Sequence, residues 1–292
     1  MAYWIKRNNI GDIKMKKILI GMIAISLVIF FMLPIILKSF GLHPDLPHKD
    51  FPNLSGKKAL IIATNHGVLN RPNEKNGKPT GLFLSELSVP YYNFLKSNMT
   101  VDIASIKGGI IPIEPVPWFI DAPEDKLFKA DSKNMDYLNN SLSINEIDFK
   151  SYDIIFLSGG WGAAYDLGFS DTLGEKISDA YNAGSLFGAV CHGVLGFIRA
   201  KDDNGNLLIK GRKMTGVTNK QLDELGIKFT PQHPEDELKK AGVEFLSTSK
   251  FKDIFATLTV VDDEKKFVTG QNQNSGQMTS YKLLELLSEK YD

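Results

Sequence analysis

The sequence predicts an α/β fold in which a mostly parallel sheet lies between two layers of helices, preceded by one membrane-spanning helix. From Lys57 onward, short apolar runs alternate with segments of helical spacing, which is the pattern of βαβ units. Before that point, residues 18–37 form a run of twenty residues without a charge. Right-handed crossovers bring the carboxyl ends of parallel strands to one edge of a sheet, so we expect the functional site at that edge.

The predicted strands are short apolar runs, and the predicted helices repeat apolar residues three or four positions apart. The first elements are strands at 59–63, 101–106 and Ile154–Leu157, and a helix at 81–95. Next come a helix at 172–183 with Gly184 as its C-cap, the strand Leu186–Val190 and a helix at 192–200. The rest of the chain adds strands at 208–209, 214–217, 256–261 and 267–269, and helices at 221–225, 235–241 and 278–289. This order predicts a doubly wound sheet of the flavodoxin-like type.

The apolar run at 18–37 would span roughly 30 Å as a helix, the thickness of the hydrocarbon core of a bilayer. A cleaved signal peptide and a retained anchor both fit a span at this place. The anchor is favoured because the run exceeds the roughly 7–15 residues of a signal-peptide core, and no small-x-small cleavage site follows it. Residues 1–17 carry five basic residues and one acidic residue, which predicts a cytoplasmic N-terminus and a domain outside the cell membrane. Met15 begins the string MKKILIG, so a start at Met15 is an alternative.

Four parts of the chain are therefore predicted: a basic N-terminus at 1–17, an anchor at 18–37, a linker at 38–56 and an α/β domain at 57–292. The formal net charge is zero, which gives no electrostatic argument for nucleic acid as a partner. A single cysteine excludes an intramolecular disulfide. No cluster of His, Cys and Asp has the spacing of metal ligands, so neither a metal nor a cofactor is expected.

The single cysteine, Cys191, lies in the run GAVCHG at 188–193, where a predicted strand meets a predicted helix. A lone cysteine is most often a small buried apolar residue. Here the small neighbours allow a tight strand-turn-helix, by the same logic as the elbow of G-x-S-x-G enzymes. A helix N-terminus favours an anion, so we expect the pKa of the thiol to be lowered. The pattern predicts that Cys191 is a nucleophile.

A glycine-rich turn, SGGWG at 158–162, follows another predicted strand. Because glycine lets the backbone approach a ligand closely, an N–H group near Gly160 and that of His192 could hold the oxygen of an addition intermediate. The alternative is an ordinary turn between a strand and a helix. Beside the cysteine elbow, the turn favours an oxyanion site.

Seven motifs follow one another along the chain. They are TNHG at 64–67, TG at 80–81 with SEL at 85–87 and PY at 90–91, KGGIIPI at 107–113, SGG at 158–160, AVCHG at 189–193, TGVT at 215–218 and TGQN at 269–272. In this order they resemble the PfpI-like superfamily, which has the class I glutamine amidotransferase-like fold and includes the Parkinson's-linked deglycase. The resemblance covers residues 57–289, and the insertion at 107–140 is similar to the larger chaperone/glyoxalase III branch.

The resemblance implies roles for several residues. Glu86 matches the family's glutamate, whose carboxyl group hydrogen-bonds the cysteine sulfur and can carry a proton. Its pKa is expected to be raised, because two like charges cannot both ionise cheaply. His192 matches the histidine that acts as general acid or base in the family's Cys-His-acid triad. His66 either lines the substrate pocket, together with Gly160 and Trp161, or has a structural role.

Two positions depart from the family's pattern. Trp161 stands where the family has a histidine, which alters one wall of the pocket. Leu222 stands at the position of the triad carboxylate, and Asp223 comes one residue late. Either the loop shifts so that Asp223 orients His192, or the third member is missing. Loss of such a carboxylate costs about 10⁴-fold in a serine-protease triad.

The leading hypothesis is a membrane-anchored lyase of glyoxalase III type. Cys191 would attack the aldehyde of methylglyoxal or a related 2-oxoaldehyde. Proton transfers through Glu86 and His192 would then give a 2-hydroxy acid without glutathione. The alternatives are a non-enzymatic chaperone or redox sensor, and a peptidase or glutamine amidotransferase. The resemblance also implies a homodimer, because dimers are common in the family.

Overall fold

The computed structural model describes residues 2–47, 50–71, 74, 76–227 and 229–291, with side chains from Met15 onward. Its strands are β1 (Lys58–Ala63), β2 (Val68–Leu69), β3 (Lys78–Pro79), β4 (Thr100–Ser105), β5 (Leu142–Ser143), β6 (Ile154–Leu157), β7 (Leu186–Val190), β8 (Lys213–Met214), β9 (Glu244–Phe245), β10 (Thr259–Val261) and β11 (Phe267–Gly270). Its helices are α1 (Ala2–Phe40), α2 (Ser85–Lys96), α3 (Pro123–Ala130), α4 (Ser132–Asn139), α5 (Ala163–Asp166), α6 (Asp171–Ala183), α7 (Asn219–Glu224), α8 (Pro234–Lys240) and α9 (Gly276–Glu289).

The central sheet has the strand order β10-β11-β7-β6-β1-β4-β5. Its neighbouring strands are parallel, except that β10 runs antiparallel to β11 at one edge. The register pairs Leu157 at the end of β6 with Ala189 in β7, so the turns after these strands leave the sheet side by side. The predicted α/β fold with a mostly parallel sheet is confirmed.

Burial on both faces explains why the central strands are continuous apolar runs. In β1, Ile61 packs into a cluster that includes residues of α2 and α9. Its neighbours Leu60 and Ile62 point the other way, into a cluster that includes residues of α6 and α8. The sheet is therefore covered by helices on both faces, as predicted, and its strand ends are the part left for a site.

Some predicted elements differ from the structure. The helix predicted at 81–95 begins only at Ser85, because Leu82 pairs with Ile113 in an isolated β-bridge. The segment predicted as a helix at 192–200 is a 3₁₀ helix, Cys191–Phe197, which contains two glycines of low helix propensity. The strand predicted at 208–209 is a turn.

The insertion at 107–140 is held against α2 and forms part of the site's surroundings. Phe128 of α3 is fully buried and packs edge-on against Tyr91 of α2, with ring centroids 5.4 Å apart. Before α3, the N–H of Leu82 donates to the carbonyl of Pro112, and the N–H of Glu114 donates to the carbonyl of Leu82, each at 2.8 Å. This backbone pairing fixes Glu114 next to the start of α2.

The chain divides into two compact units, one ending at Phe40 and the other beginning at Gly41. In the first, Met15–Phe40 is a stretch of 26 residues within α1 that is long and apolar enough to cross a bilayer. The predicted basic N-terminus lies mostly outside the description, because the structure describes no side chain before Met15. The second unit begins before the predicted boundary at 57, because Leu42 and Leu54 are already buried in it.

Candidate active site

Cys191 follows β7 directly and has a left-handed backbone conformation, with a φ angle of 56°. Few residues other than glycine adopt this conformation, because Cβ crowds the neighbouring carbonyl oxygen. Such strain is typical of a nucleophile elbow, in which a sharp turn presents the side chain at the edge of the sheet. The predicted elbow geometry is present, and Cys191 is 7% exposed at the wall of a cavity.

The carboxyl group of Glu86 lies close to the sulfur of Cys191, close enough for each group to shift the pKa of the other. Glu86 is in the first turn of α2 and is fully buried. Both carboxyl oxygens lack a conventional hydrogen bond to any of the described residues. A Cβ atom on Gly159 would lie 2.5 Å from Glu86 Oε2, so a glycine there leaves room for the carboxyl group. The fold therefore holds the carboxyl group beside the thiol, where the backbone N–H groups of Gly159 and Gly160 only partly offset its burial.

Both members of this pair are harder to ionise than usual. Burial raises the pKa of Glu86 well above its usual range, and the charge of Glu114 adds to the rise. Burial, followed by the charge of Glu86, likewise raises the pKa of the Cys191 thiol well above its usual range. The raised pKa predicted for Glu86 is confirmed. The lowered pKa predicted for Cys191 is wrong, because desolvation and the carboxyl group outweigh the backbone N–H groups near the sulfur.

Two backbone N–H groups, those of Gly160 and His192, lie near the sulfur and oppose the rise in its pKa. Gly160 has a φ angle of 90°, and a Cβ atom there would lie 2.2 Å from the backbone nitrogen of Phe83. Glycine is therefore required at this turn. The two N–H groups are the predicted oxyanion donors, and the turn brings them to the nucleophile.

The imidazole ring of His192 contacts the sulfur through Nδ1, which lies 3.4 Å from Cys191 Sγ. The side chain is buried, and Nε2 has no hydrogen-bond partner among the described residues. Burial, and then the neighbouring His233, lower the pKa of His192 to about 3. The ring is therefore neutral at neutral pH and can accept a proton from the thiol only as the sulfur reacts.

No carboxylate of the described residues orients His192, and the proposed role of Asp223 is wrong in this structure. Asp223 lies exposed on α7 and makes no hydrogen bond to the ring. The reason is the geometry of the helix. Leu222 is buried against the core, and the next side chain points about 100° further around the helix axis, toward solvent. Of the two alternatives, a missing third member is the one observed.

His66 does not line the cavity. Its ring stacks on that of Tyr165, with centroids 4.1 Å apart and planes 4° apart. Its Nε2 hydrogen-bonds with the carbonyl oxygen of Val68. The predicted contact of His66 with substrate is therefore wrong, and of its two possible roles the structural one is observed.

Trp161 lines the cavity as predicted. Its backbone is held by Glu114, a residue that the sequence did not lead us to predict. The ring of Trp161 lies 5.1 Å from that of His192, measured between centroids. The backbone N–H of Trp161 donates to Glu114 Oε2 at 3.1 Å. Burial raises the pKa of Glu114. In the sequence, the only indication that Glu114 belongs to the site was its position directly after the KGGIIPI motif.

Gln221 is the second missed residue. It is buried on α7, lines the cavity, and accepts a hydrogen bond from Asn272 Nδ2 at 3.3 Å. Thr218 caps α7 and accepts a hydrogen bond from the N–H of Gln221 at 3.1 Å. The indication in the sequence was therefore Thr218 as an N-cap. A cap at this residue sets where α7 begins, and so determines which side of the short helix Gln221 lies on.

Cys191, Glu86 and His192 meet at one cavity of about 350 Å³ in the second unit. Its polar lining groups are these three, the Gly160 backbone, Glu114, Gln221 and Gln273, and apolar side chains form most of the other walls. No group of three or more potential metal ligands occurs among the described residues. The arrangement can carry out nucleophilic addition to a carbonyl and proton transfer at the adjacent carbon.

The fold and this site together define a cysteine-dependent α/β enzyme with a nucleophile elbow. The chain belongs to the DJ-1/PfpI family, whose family model matches residues 81–286. Its relatives include the glutathione-independent glyoxalase of Schizosaccharomyces pombe, which is 28% identical over 249 residues, or 77% of this chain and 95% of that protein.

Two crystal structures resemble the fold closely. The rapid encystment protein of Francisella tularensis is 33% identical, with a TM-score of 0.71 over 79% of this chain and 99% of that chain. Glyoxalase III of Candida albicans is 27% identical, with a TM-score of 0.68 over 79% of this chain and 97% of that chain. The resemblance to the PfpI-like superfamily and its glyoxalase III branch is confirmed.

Proposed function

We propose that this chain is a glutathione-independent glyoxalase, which converts methylglyoxal or a related 2-oxoaldehyde to a 2-hydroxy acid. The observation that carries the proposal is the pair of Cys191 and Glu86, a thiol on an elbow beside a fully buried carboxyl group with no conventional hydrogen bond. Such a pair supplies the nucleophile and a proton carrier in one place. The names of the relatives from S. pombe and C. albicans support the same activity.

In the first step, the sulfur of Cys191 attacks the aldehyde carbon and a C–S bond forms while the carbonyl π electrons move to oxygen. The N–H groups of Gly160 and His192 stabilise the negative charge that develops on this oxygen. The oxygen then takes a proton, and the product is a hemithioacetal.

In the second step, the hydrogen on the former aldehyde carbon leaves as a proton, and an enediol forms. Glu86 and the neutral ring of His192 are the groups beside the sulfur that accept this proton and deliver one to the neighbouring carbon. The aldehyde carbon is thereby oxidised and the ketone carbon reduced, so no external oxidant is needed. Water then hydrolyses the resulting thioester, breaks the C–S bond, and releases the 2-hydroxy acid and the thiol.

The working form of the site has one proton shared by Cys191 and Glu86. Because burial raises the pKa of both groups, both are protonated at low pH. Loss of one proton leaves a single negative charge and a single proton on the pair, whereas loss of the second leaves two like charges and no donor. We therefore expect kcat/KM to rise with pH as the first proton leaves, and to fall as the second leaves.

The test is conversion of methylglyoxal to lactate by the purified full chain in detergent, without glutathione. We expect lactate from the unaltered chain and a rate at least about 10³-fold lower from Cys191→Ala, since the nucleophile is lost. Lys126→Ala, an exposed change on α3, is the matched control and should keep the full rate. If the unaltered chain makes no lactate, the proposal is wrong.

The redox-sensor alternative is less well supported by the site. Oxidation of a cysteine depends on its thiolate fraction and its exposure. Cys191 is buried, and burial raises its pKa, so both conditions are poor for selective reaction with peroxide. These features favour a nucleophile that is activated only when a substrate is bound.

We also propose that residues 18–37 anchor the enzyme in a membrane, with the N-terminus in the cytoplasm. Met15–Phe40 forms a continuous helix roughly 39 Å long. Large apolar side chains such as Ile20 and Phe31 are exposed on it. A helix that is apolar on all faces is more stable in hydrocarbon than in water.

Alkaline carbonate extraction of cells that express the full chain tests the anchor. The chain should stay in the membrane pellet, and the double change Ile25→Lys with Val28→Lys should release it, because each charge is costly at the centre of a bilayer. Protease added to spheroplasts should digest the second unit if it lies outside. An unaltered chain found in the carbonate supernatant would contradict the anchor.

A further inference from the structure

The cavity in front of Cys191 is larger than methylglyoxal requires. Its volume is about 350 Å³. Methylglyoxal has five non-hydrogen atoms. Even at roughly 30 Å³ per atom, the share of a water molecule in the liquid, it would fill less than half of this space. A cavity of this size around a small substrate would leave either empty apolar surface or trapped water.

Most of the side chains that line the cavity are apolar. They include Val116, Phe119, Ile120, Val217, Ile227 and Ile254. Water in contact with such walls finds few hydrogen-bond partners, so its replacement by an apolar group is favourable. The space that a small aldehyde does not fill is therefore suited to a substituent with a hydrocarbon surface.

The charged lining groups exclude a second class of substrate. Of the described residues that line the cavity, none is lysine or arginine, and the charged ones are Glu86 and Glu114. A phosphate or carboxylate on the substrate would find no cationic side chain among these described residues, and it would lie near one or two acidic groups. Burying an unpaired anion is costly, so anionic aldehydes should bind poorly.

The apolar wall from Val116 to Ile120 is held in place. It follows Glu114, whose backbone N–H donates to the carbonyl of Leu82 and whose side chain accepts the N–H of Trp161. At its other end, the carbonyl oxygen of Ile120 hydrogen-bonds with the ring of His43 at 2.7 Å. The space beside the thiol is therefore preformed, and a substituent fills it without loss of the wall's own contacts.

We propose that the preferred substrates are uncharged 2-oxoaldehydes that carry an apolar substituent larger than methyl, such as an aryl or branched alkyl group. This inference rests on the proposed glyoxalase function. The reaction balances in the same way for any substituent, because only the aldehyde carbon, the neighbouring carbonyl and one water molecule change. Binding energy from the substituent positions these two carbons against Cys191 and Glu86.

The experiment compares kcat/KM of the full chain in detergent for phenylglyoxal, methylglyoxal and hydroxypyruvaldehyde. We expect phenylglyoxal to exceed methylglyoxal by at least about tenfold, because apolar groups gain this much in a fitting pocket. Hydroxypyruvaldehyde, which carries a hydroxymethyl group, should be poorer than methylglyoxal. Equal values for phenylglyoxal and methylglyoxal would overturn the inference and leave the proposed function standing, whereas no turnover of any of the three would overturn the proposed function itself.

Two wall variants separate the effect of the pocket from the intrinsic reactivity of the aldehydes and from their partition into detergent. Phe119→Ser and Ile254→Asn should each lower kcat/KM for phenylglyoxal by at least about tenfold and that for methylglyoxal by no more than about threefold. Leu127→Ser, an exposed change on α3 outside the cavity, should leave both values as they are. Parallel losses for both substrates in the wall variants would overturn the inference, and the methylglyoxal rate shows that each variant is folded.

Discussion

At the scale of single residues, two carboxyl groups determine when Cys191 can react. Glu86 lies beside the sulfur, and Glu114 lies close enough for its charge to raise the pKa of Glu86. A negative charge on Glu114 opposes each loss of a proton from the pair of Glu86 and Cys191. Removing that charge should therefore make both ionisations easier.

The variant Glu114→Gln tests this coupling. Both limbs of the profile of kcat/KM against pH should move to lower pH, because a neutral amide no longer opposes the loss of a proton from the pair. Glu146→Gln, an exposed change far along the chain from this motif, is the control and should leave the profile in place. Limbs that stay fixed or move to higher pH in Glu114→Gln would show that the two carboxyl groups are not coupled.

Gly159 offers a second prediction at this scale. In Gly159→Ala the added Cβ would lie 2.5 Å from Glu86 Oε2 and 2.8 Å from the backbone nitrogen of His192. The carboxyl group must shift, and a displacement of about 1 Å costs on the order of 10²-fold in rate. We expect that loss in kcat for methylglyoxal, measured together with circular dichroism to show an intact fold.

Gly276→Ala is the matched control for this change. Its nearest neighbours would lie 3.8 Å from the added Cβ, which is an ordinary contact, and its φ angle is negative. Its activity should stay within about twofold of the unaltered chain. Full activity in Gly159→Ala would show that the position of the Glu86 carboxyl group does not limit the reaction.

At the scale of elements, the elbow depends on strand β7 being held rigidly inside the sheet. Phe187 of β7 is fully buried and stacks against Phe267 of β11, with ring centroids 5.1 Å apart. Its removal should leave a cavity under the strand that ends at Cys191. The cost of such a cavity is set by how little the surrounding sheet can relax.

Phe187→Ala should lower the free energy of unfolding by about 3–5 kcal/mol, measured by urea denaturation. Phe169→Ala removes a ring that is 48% exposed and should cost less than about 1 kcal/mol. A cost below about 1 kcal/mol for Phe187→Ala would mean that β7 is not part of the rigid core.

The elements that the sequence predicts well are those with a local signal. The three central strands β1, β6 and β7 are almost entirely apolar and buried on both faces, and the run GAVCHG marks the elbow by its small residues. The errors occur where contacts between distant segments determine the local structure. The isolated bridge from Leu82 to Ile113 delays the start of α2, and His66 is removed from the site by stacking on Tyr165. Neither contact leaves a pattern in the sequence around it.

The cavity itself was even less predictable from the sequence. Its residues come from segments that are far apart, such as Glu114 in the insertion, Gln221 in α7 and Ile254 near β10. Asp223 was a poor prediction because a shift of one residue on a helix changes the side that faces the cavity. The raised pKa of Cys191 also depends on burial, which the neighbouring residues alone do not reveal.

At the scale of the whole molecule, the boundary between the two units makes a prediction. A chain that begins at Gly41 should fold in water without detergent, because the second unit contains both core clusters and the candidate site. Its catalytic constants should equal those of the full chain. Aggregation of this shortened chain, or loss of its activity, would show that the first unit is required for the fold.

A chain that begins at Lys57 is the informative comparison, because it also lacks the buried side chains of Leu42 and Leu54. Its free energy of unfolding should be lower by at least about 2 kcal/mol than that of the chain beginning at Gly41. Equal stability in urea would show that residues 41–56 act as a linker, as their prolines predicted, rather than as part of the second unit.

The most direct test of the central claim is to find the covalent intermediate on Cys191. The full chain is mixed with methylglyoxal, quenched with acid within one turnover, digested and analysed by mass spectrometry. The peptide with the only cysteine should gain the mass of one substrate molecule, since hemithioacetal and thioester have the same composition, and should lose it as lactate appears. Lactate formed at the full rate without this adduct, or by Cys191→Ala, would contradict the account.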